Sequence, residues 1–219
     1  MGSNPVSLIR ACEGLRPFMS PFFMPMDTIL LASSSPRRRE LLTSYGFPLV
    51  VRPADTDESV RDYLPVRKRV LALAQDKAEA VLSETGNDDP RWILAADTLV
   101  SIGRRVLGKP RDRDQARDFL KVLSGRTHRV STGIVLVDRA SGTRRQAVEE
   151  TRVLFSRLSF REIEGYLDSE EWRGAAGAYR IQGKAAFLVE RVTGSYSCVV
   201  GLPLRAFYVI LSKSGYPMR

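Results

Sequence analysis

Residues 33 to 40 read SSSPRRRE, directly after the apolar run Ile29-Leu30-Leu31-Ala32 and before Leu41-Leu42. A strand running into a helix is expected here. Ser35 suits the N-cap, and Pro36 falls at the first helical position, where its missing N–H costs nothing. Three arginines at that end oppose the helix dipole. An anion would offset them. Outward backbone N–H groups, the hydroxyls of Ser33, Ser34 and Ser35, and the guanidinium groups of Arg37 and Arg38 form a set that grips phosphate. The competing reading is an ordinary capped helix with solvated arginines.

Further along the chain, Asp97 follows the apolar stretch Ile93-Leu94-Ala95-Ala96. A carboxylate there could bind a divalent ion or take a proton from water, or it could simply open a turn. Lys109, in Leu107-Gly108-Lys109-Pro110, is a lone lysine on backbone fixed by Gly and Pro, or else a solvent-facing loop residue. Lys77 lies four residues after Leu73 and four before Val81, so it shares the apolar stripe of its helix. Either it snorkels to water or it points into a cleft at a phosphate. Gln182 carries an amide that can donate and accept at once toward a pyrimidine edge. Gly177 to Lys184 is not a P-loop, because five residues separate its glycines and Ala185 follows the lysine. Asp57-Glu58 could hold a metal or cap a helix. His128, the one histidine, has no nucleophile placed beside it and reads as a strand-edge residue.

Alternating strands and helices must position these groups. Strands are expected at Thr28 to Ala32, Phe47 to Arg52 and Trp92 to Ala96, the last ending in Asp97-Thr98. A hairpin through Gly103-Arg104 returns as Val106-Leu107. A second hairpin joins Arg129 to Asp138 with Ala147 to Phe155 through Ser141-Gly142. Ala186 to Arg191 and Ser195 to Val200 read as paired strands around Thr193-Gly194. Helices are expected over residues 36 to 45, with Leu41, Leu42 and Tyr45 as the packing face. Others span residues 66 to 84, Asp114 to Leu123, a capped segment from Ser159-Phe-Arg-Glu162 to Asp168, and Pro203 to Ser212. Hairpins mixed with crossovers predict an α/β chain with a mixed sheet rather than a doubly wound parallel one.

The chain has 219 residues, 43% of them hydrophobic, and 34 Lys+Arg against 25 Asp+Glu give a net charge of +9. That balance suits an anionic partner. The basic residues are spread out with no charged tail, which argues against a dedicated nucleic-acid arm. Two distant cysteines fit a reducing, cytoplasmic compartment. No stretch approaches the roughly 18 apolar residues of a membrane span. Residues 1–26 are proline-interrupted and read as a disordered extension or a mis-assigned start, with Met24 or Met26 as the alternative. Residues 27–219 read as a single domain.

In order, Leu31-Ala-Ser-Ser-Ser-Pro-Arg-Arg38, Ala96-Asp-Thr98, Gly108-Lys-Pro110, Leu123-Ser-Gly125, Ala176-Gly-Ala-Tyr179, Ile181-Gln-Gly183 and Val200-Gly-Leu-Pro203 resemble the Maf family of nucleoside triphosphate pyrophosphatases. The resemblance covers nearly everything from Thr28 onward. It implies an elongated mixed β-sheet with flanking helices and a cleft between two lobes, similar to inosine-triphosphate pyrophosphatases. It implies hydrolysis of a nucleoside triphosphate to monophosphate and pyrophosphate with a divalent metal, Mg or Mn. On the matching positions the resemblance implies Asp97 as the catalytic aspartate, with the cleft lysines Lys77 and Lys109 also catalytic, Ser33, Arg37 and Arg38 binding phosphate, and Thr98 and Gln182 also binding substrate. Glu58 is an acidic position implied, with Asp97, in metal binding.

Arg37, Thr98 and Gln182 resemble the dTTP/UTP branch, which implies house-cleaning of modified pyrimidine nucleotides. A 7-methyl-GTP or inosine-type pyrophosphatase is the alternative on the same fold. A nucleic-acid or cell-division binding protein without turnover is the alternative from another class. The resemblance carries the expectation of a homodimer. Two departures stand out: Ala95 replaces a glycine, and Gly174-Ala175 stand where relatives carry Asp-Lys, removing two charges from the late loop.

Overall fold

The computed structural model describes residues 27–54 and 56–218, with the side chains of Glu58 and Val60 left aside. The extension at residues 1–26 lies outside the described residues. The first strand, β1 (Ile29–Ala32), is wholly buried and feeds α1 (Pro36–Ser44) through Ser35. Gly46, at φ 76°, ends that helix, donating to Thr43 O. Of the expected packing face, Leu42 is buried, but Tyr45 turns outward and is 52% exposed. It lies at the C-cap, beyond the last turn that meets the sheet.

The chain continues through β2 (Leu49–Val51), α2 (Val66–Ser83), β3 (Trp92–Ile102), β4 (Arg105–Leu107), α3 (Arg113–Leu123), β5 (Thr127–Asp138), β6 (Thr143–Phe155), α4 (Phe160–Leu167), β7 (Val189–Thr193), α5 (Tyr196–Val200) and α6 (Leu204–Ser214). The strands form one mixed seven-stranded sheet in the order β2-β1-β3-β5-β6-β7, with β4 also paired to β3. β1 runs parallel to β2 and β3, while the β3–β5, β5–β6 and β6–β7 pairs are antiparallel. The capping box at α4 is present in both directions between Ser159 and Glu162.

Three strand expectations fail. β3 does not stop at Ala96. Its pairing with β5 continues from Trp92↔Asp138 to Ser101↔Arg129 and carries the backbone straight through Asp97 and Thr98. Residues 195–200 are not a strand. The Tyr-Ser-Cys-Val-Val run has strand-like composition, but Ser195 caps it as α5, its side chain accepting from Cys198 N. A turn at Lys184–Phe187 likewise delays the preceding strand, and β7 pairs with β6 instead.

Successive side chains of a strand face opposite sides of the sheet. On β3, Ile93 and Ala95 pack with Ala74, Ala78 and Val81 of α2. Trp92, Leu94 and Ala96 pack with Phe207, Ile210 and Leu211 of α6. Farther along, Val100 joins a separate core with Leu107, α3, α4 and the 172–188 segment. The sheet thus carries two lobes, one clasped by α2 and α6 and the other covered by α3 and α4.

Candidate active site

The cleft arises from a gap in strand pairing. On one edge of β3, β1 covers residues 92–95 and β4 covers residues 100–102. Among the described residues no strand covers Ala96, Asp97, Thr98 and Leu99 on that edge. The notch opens both faces of the sheet at once. Asp97, continuing the odd register, points to the α2 side, and Thr98 points to the α6 side. The resulting cleft has a volume of about 410 Å³.

Lys77 of α2 enters from the first side. Its Nζ lies 2.6 Å from Asp97 Oδ1, and both side chains are largely buried. The second oxygen, Asp97 Oδ2, is buried and has no hydrogen-bond partner. A buried carboxylate oxygen left unmade is costly, so its presence at a cleft wall marks a place for a ligand, water or ion. Close approach of α2 depends on Gly133, which stands opposite Asp97 on β5. A Cβ there would lie 2.6 Å from Val70 O and 2.7 Å from Val70 C.

Arg38 enters from the second side and is 8% exposed. Its Nε donates to Gly201 O at 2.8 Å, Nη1 to Ser33 Oγ at 2.8 Å and Nη2 to Thr98 Oγ1 at 3.0 Å. The expected conflict with the helix dipole is resolved by this folding back, and Arg39 points to solvent. Ser33 Oγ also accepts from Ser35 N at 3.2 Å. With two donors on its oxygen, the Ser33 hydroxyl has only its proton left to give, which suits a phosphate oxygen. Gly201 sits at φ 120°, in the region glycine favours, and it is this backbone conformation rather than crowding that calls for glycine, since an added Cβ would meet Thr98 Oγ1 only at 3.4 Å.

Arg37 reaches across the cleft mouth to donate to Gly174 O at 3.3 Å. Burial, and then the nearby Arg180 guanidinium, lower its pKa. Lys109 and Gln182 are exposed residues at the cleft rim. Gly177 N donates to Gly108 O at 3.0 Å and so ties the late loop to the Gly-Lys-Pro segment. Two residues beyond Gln182, Lys184 N donates to the Glu171 carboxylate at 2.8 Å. Among the described lining residues, Arg37, Arg38, Lys77, Lys109, Arg173 and Arg180 face one carboxylate, Asp97. Such a wall suits a polyanion.

Ser33, Arg37, Arg38, Lys77, Asp97, Thr98, Lys109 and Gln182 therefore meet in one cleft. Glu58 begins a short 3₁₀ turn, but its side chain lies outside the described residues, so the structure does not place its carboxylate. Asp57 caps that turn, accepting from Ser59 N at 2.9 Å. His128 is not at a strand edge. It is 1% exposed and packs against Phe155 and Tyr179, with Nε2 2.8 Å from Tyr179 Oη. Burial pushes its pKa down to about 4. Sequence reasoning missed Arg173 and Arg180, and also the backbone carbonyls of α5 and Gly201. Ser195 followed by Gly201 and Pro203 was the available sign of that short helix.

Residues 28–214 match the family described as Maf-like protein. A dTTP/UTP pyrophosphatase of Anaeromyxobacter dehalogenans (strain 2CP-C) is 47% identical over 192 residues, covering 87% of this chain and 95% of its own. Those of Rhodopseudomonas palustris (strain ATCC BAA-98 / CGA009) and Brucella abortus (strain 2308) are 47% and 46% identical. Each of these alignments covers 87% of this chain, with 94% and 93% of the relatives. An α/β fold whose mixed sheet is notched by a cation-lined cleft fits a protein that handles phosphorylated small molecules. The chain belongs to the Maf family. Among the described residues, no helix is long and apolar enough to cross a membrane.

Proposed function

We propose that this chain is a nucleoside triphosphate pyrophosphatase that hydrolyses dTTP and UTP to the monophosphate and pyrophosphate, with residues 27–219 acting as one catalytic domain in the cytoplasm. The observation that carries the reading is the unpartnered Asp97 Oδ2, set beside Lys77 in a cleft otherwise walled by cations and hydroxyls. Relatives that cover most of the chain are named dTTP/UTP pyrophosphatases, which supports the same reaction and substrates.

In this reading Asp97 Oδ2 orients water for attack on the α-phosphorus and takes its proton, while Lys77 holds the carboxylate through Oδ1. Arg37, Arg38, Lys109 and the Ser33 hydroxyl bind the phosphate chain and lower the cost of charge developing on the pyrophosphate. Thr98 and Gln182, with Arg37, select the base.

No group of three or more His, Cys, Asp or Glu residues that could hold a metal occurs among the described residues. The residues fit a divalent ion that arrives with the nucleotide. The Asp97 carboxylate would supply one ligand, and phosphates and water most of the rest, as Mg²⁺ prefers. Glu58 is the second proposed ligand. When bound, the metal supplies further charge neutralisation on the phosphate oxygens. A homodimer is part of the proposal.

The test is a panel of dTTP, UTP, CTP, ITP and 7-methyl-GTP scored for pyrophosphate release, with Mg²⁺ or Mn²⁺ present and absent, beside light scattering for mass. Preference for dTTP and UTP is expected. Preference for ITP or 7-methyl-GTP would overturn the substrate reading. Salt-dependent DNA binding without any hydrolysis would overturn the enzyme reading.

A further inference from the structure

Thr132 lies beside Thr98 across the β3–β5 pair and is completely buried. Its Oγ1 is 2.9 Å from the carbonyl of Cys198 and 2.9 Å from Thr98 Oγ1. A threonine hydroxyl has one proton and two lone pairs. The Cys198 carbonyl can only accept, so it takes the Thr132 proton. The contact between the two threonines must then use the proton of Thr98. The third contact agrees, because Arg38 Nη2 donates to Thr98 Oγ1. Thr98 therefore has no proton left for the cleft. What it can offer a ligand is a lone pair.

This polarity is opposite to that of Ser33, whose oxygen is taken by two donors and whose proton remains. Phosphate oxygens accept hydrogen bonds, so they suit Ser33 and do not suit Thr98. Thr98 calls for a donor group of the substrate. A uracil or thymine ring carries an N–H at position 3, where cytosine carries a lone pair.

We propose that Thr132 is a positioning residue for substrate selection. It locks the Thr98 hydroxyl as an acceptor, and Thr98 then takes the ring N–H of uracil or thymine and rejects cytosine. The Cys198 carbonyl on α5 is the fixed end of the chain that sets this direction. The inference rests on the nucleotide reading above and deepens it by naming what distinguishes the bases.

The test compares kcat/KM for UTP and CTP, which share a ribose, in the wild type, Thr132→Val and Thr132→Ser. Valine keeps the shape and removes the relay, so the Thr98 hydroxyl can turn and donate to N3 of cytosine. The UTP:CTP ratio is expected to fall by about 10-fold or more, the range set by one unmatched buried hydrogen bond. Serine keeps the relay and should keep the wild-type ratio. A role in packing alone would lower both rates in step, and an unchanged ratio in Thr132→Val overturns the proposal. So does loss of the ratio in Thr132→Ser.

A measurement without variants guards against misfolding. The wild type should cleave 3-methyl-UTP, which lacks the ring donor, at least about 10-fold less well than UTP. Equal cleavage of the two overturns the assignment. A wild type that releases pyrophosphate from no nucleotide overturns the parent reading, and this one with it.

Discussion

Gly133→Ala should damage catalysis from a position that touches no ligand. The added Cβ would sit 2.6 Å from Val70 O, 2.7 Å from Val70 C and 2.8 Å from Leu71 N, all backbone of α2. No side chain can swing away to make room. Ordinary contact begins at 3.4 Å, so the helix must retreat by the difference between 3.4 and 2.6 Å, about 0.8 Å. Lys77 rides on the same helix two turns farther on. A rigid retreat would stretch its 2.6 Å contact with Asp97 to about 3.4 Å, at the limit of a hydrogen bond.

Overpacking of this kind costs about 1–3 kcal/mol, or roughly 2–12 °C in Tm for a chain of this size. Misplacement approaching 1 Å at reacting groups costs on the order of 10²-fold in rate. We therefore expect Gly133→Ala to lower Tm within that range and to lower kcat for dTTP by about 10- to 100-fold, with KM changed much less. The assay is pyrophosphate release beside thermal unfolding. If the loss runs through Lys77, Gly133→Ala should cost little more when added to Lys77→Ala, since residues acting as a unit are non-additive. Wild-type kcat in Gly133→Ala, or full additivity with Lys77→Ala, would refute the reasoning.

Three other outcomes follow from the same geometry. Asp97→Asn should lower turnover by about 10²- to 10⁴-fold in pyrophosphate release while calorimetry finds nucleotide binding largely intact; lost binding with residual turnover would sink the role of Asp97. Gln182→Glu removes the amide donor and should shift base preference across the nucleotide panel, so an unchanged profile would argue against contact with the base. His128 has its folded pKa lowered by burial to about 4, so the unfolded chain binds the extra proton as pH falls below about 6.5. Stability should thus be fully present above about pH 6.5 and fall by up to about 3 kcal/mol as pH drops to about 4. Urea unfolding of the wild type and His128→Gln across that window checks it, with the variant expected to show the shallower slope.

The sequence was most readable where local chemistry and tertiary structure agree. Pro36 after Ser35, Gly46 at φ 76° and the Ser159–Glu162 box mark helix ends through backbone rules that act within a few residues. The stripe on α2 was legible for the same reason, and it placed Lys77 on the buried face. Errors came where distant contacts overrule composition. Ser195 to Val200 reads as strand, yet Ser195 caps a short helix there, and the carbonyls of Cys198 and Gly201 are spent on Thr132 and Arg38. His128 reads as an edge residue because nothing near it in sequence foretells Tyr179, which comes from a loop 51 positions away. Arg180 has no local signal at all, since its place in the cleft wall depends on how residues 173–180 fold back.

The central feature is the notch, and it explains why adjacent residues can serve different parts of one ligand. Asp97 and Thr98 are neighbours in a strand, so their side chains must diverge. In a fully paired sheet, one would be sealed beneath α2 and the other beneath α6, with the ladder between them. Ending β1 at Ala32 and delaying β4 until its partner Val100 removes the ladder for residues 96–99. A single ligand can then pass through the sheet plane, meeting Lys77 and Asp97 on one side and Arg38 and Thr98 on the other. The SSSPRRRE turn is what keeps this opening clear, because the helix that follows β1 carries the chain away while returning Arg38 to its rim. Extending β1 by two residues with a β-branched pair in place of Ser33-Ser34 would favour closing the ladder over Ala96 and Asp97. Loss of nucleotide binding with retained folding is the expected result, and unchanged binding in such a variant would show that the gap in pairing is not what admits the ligand.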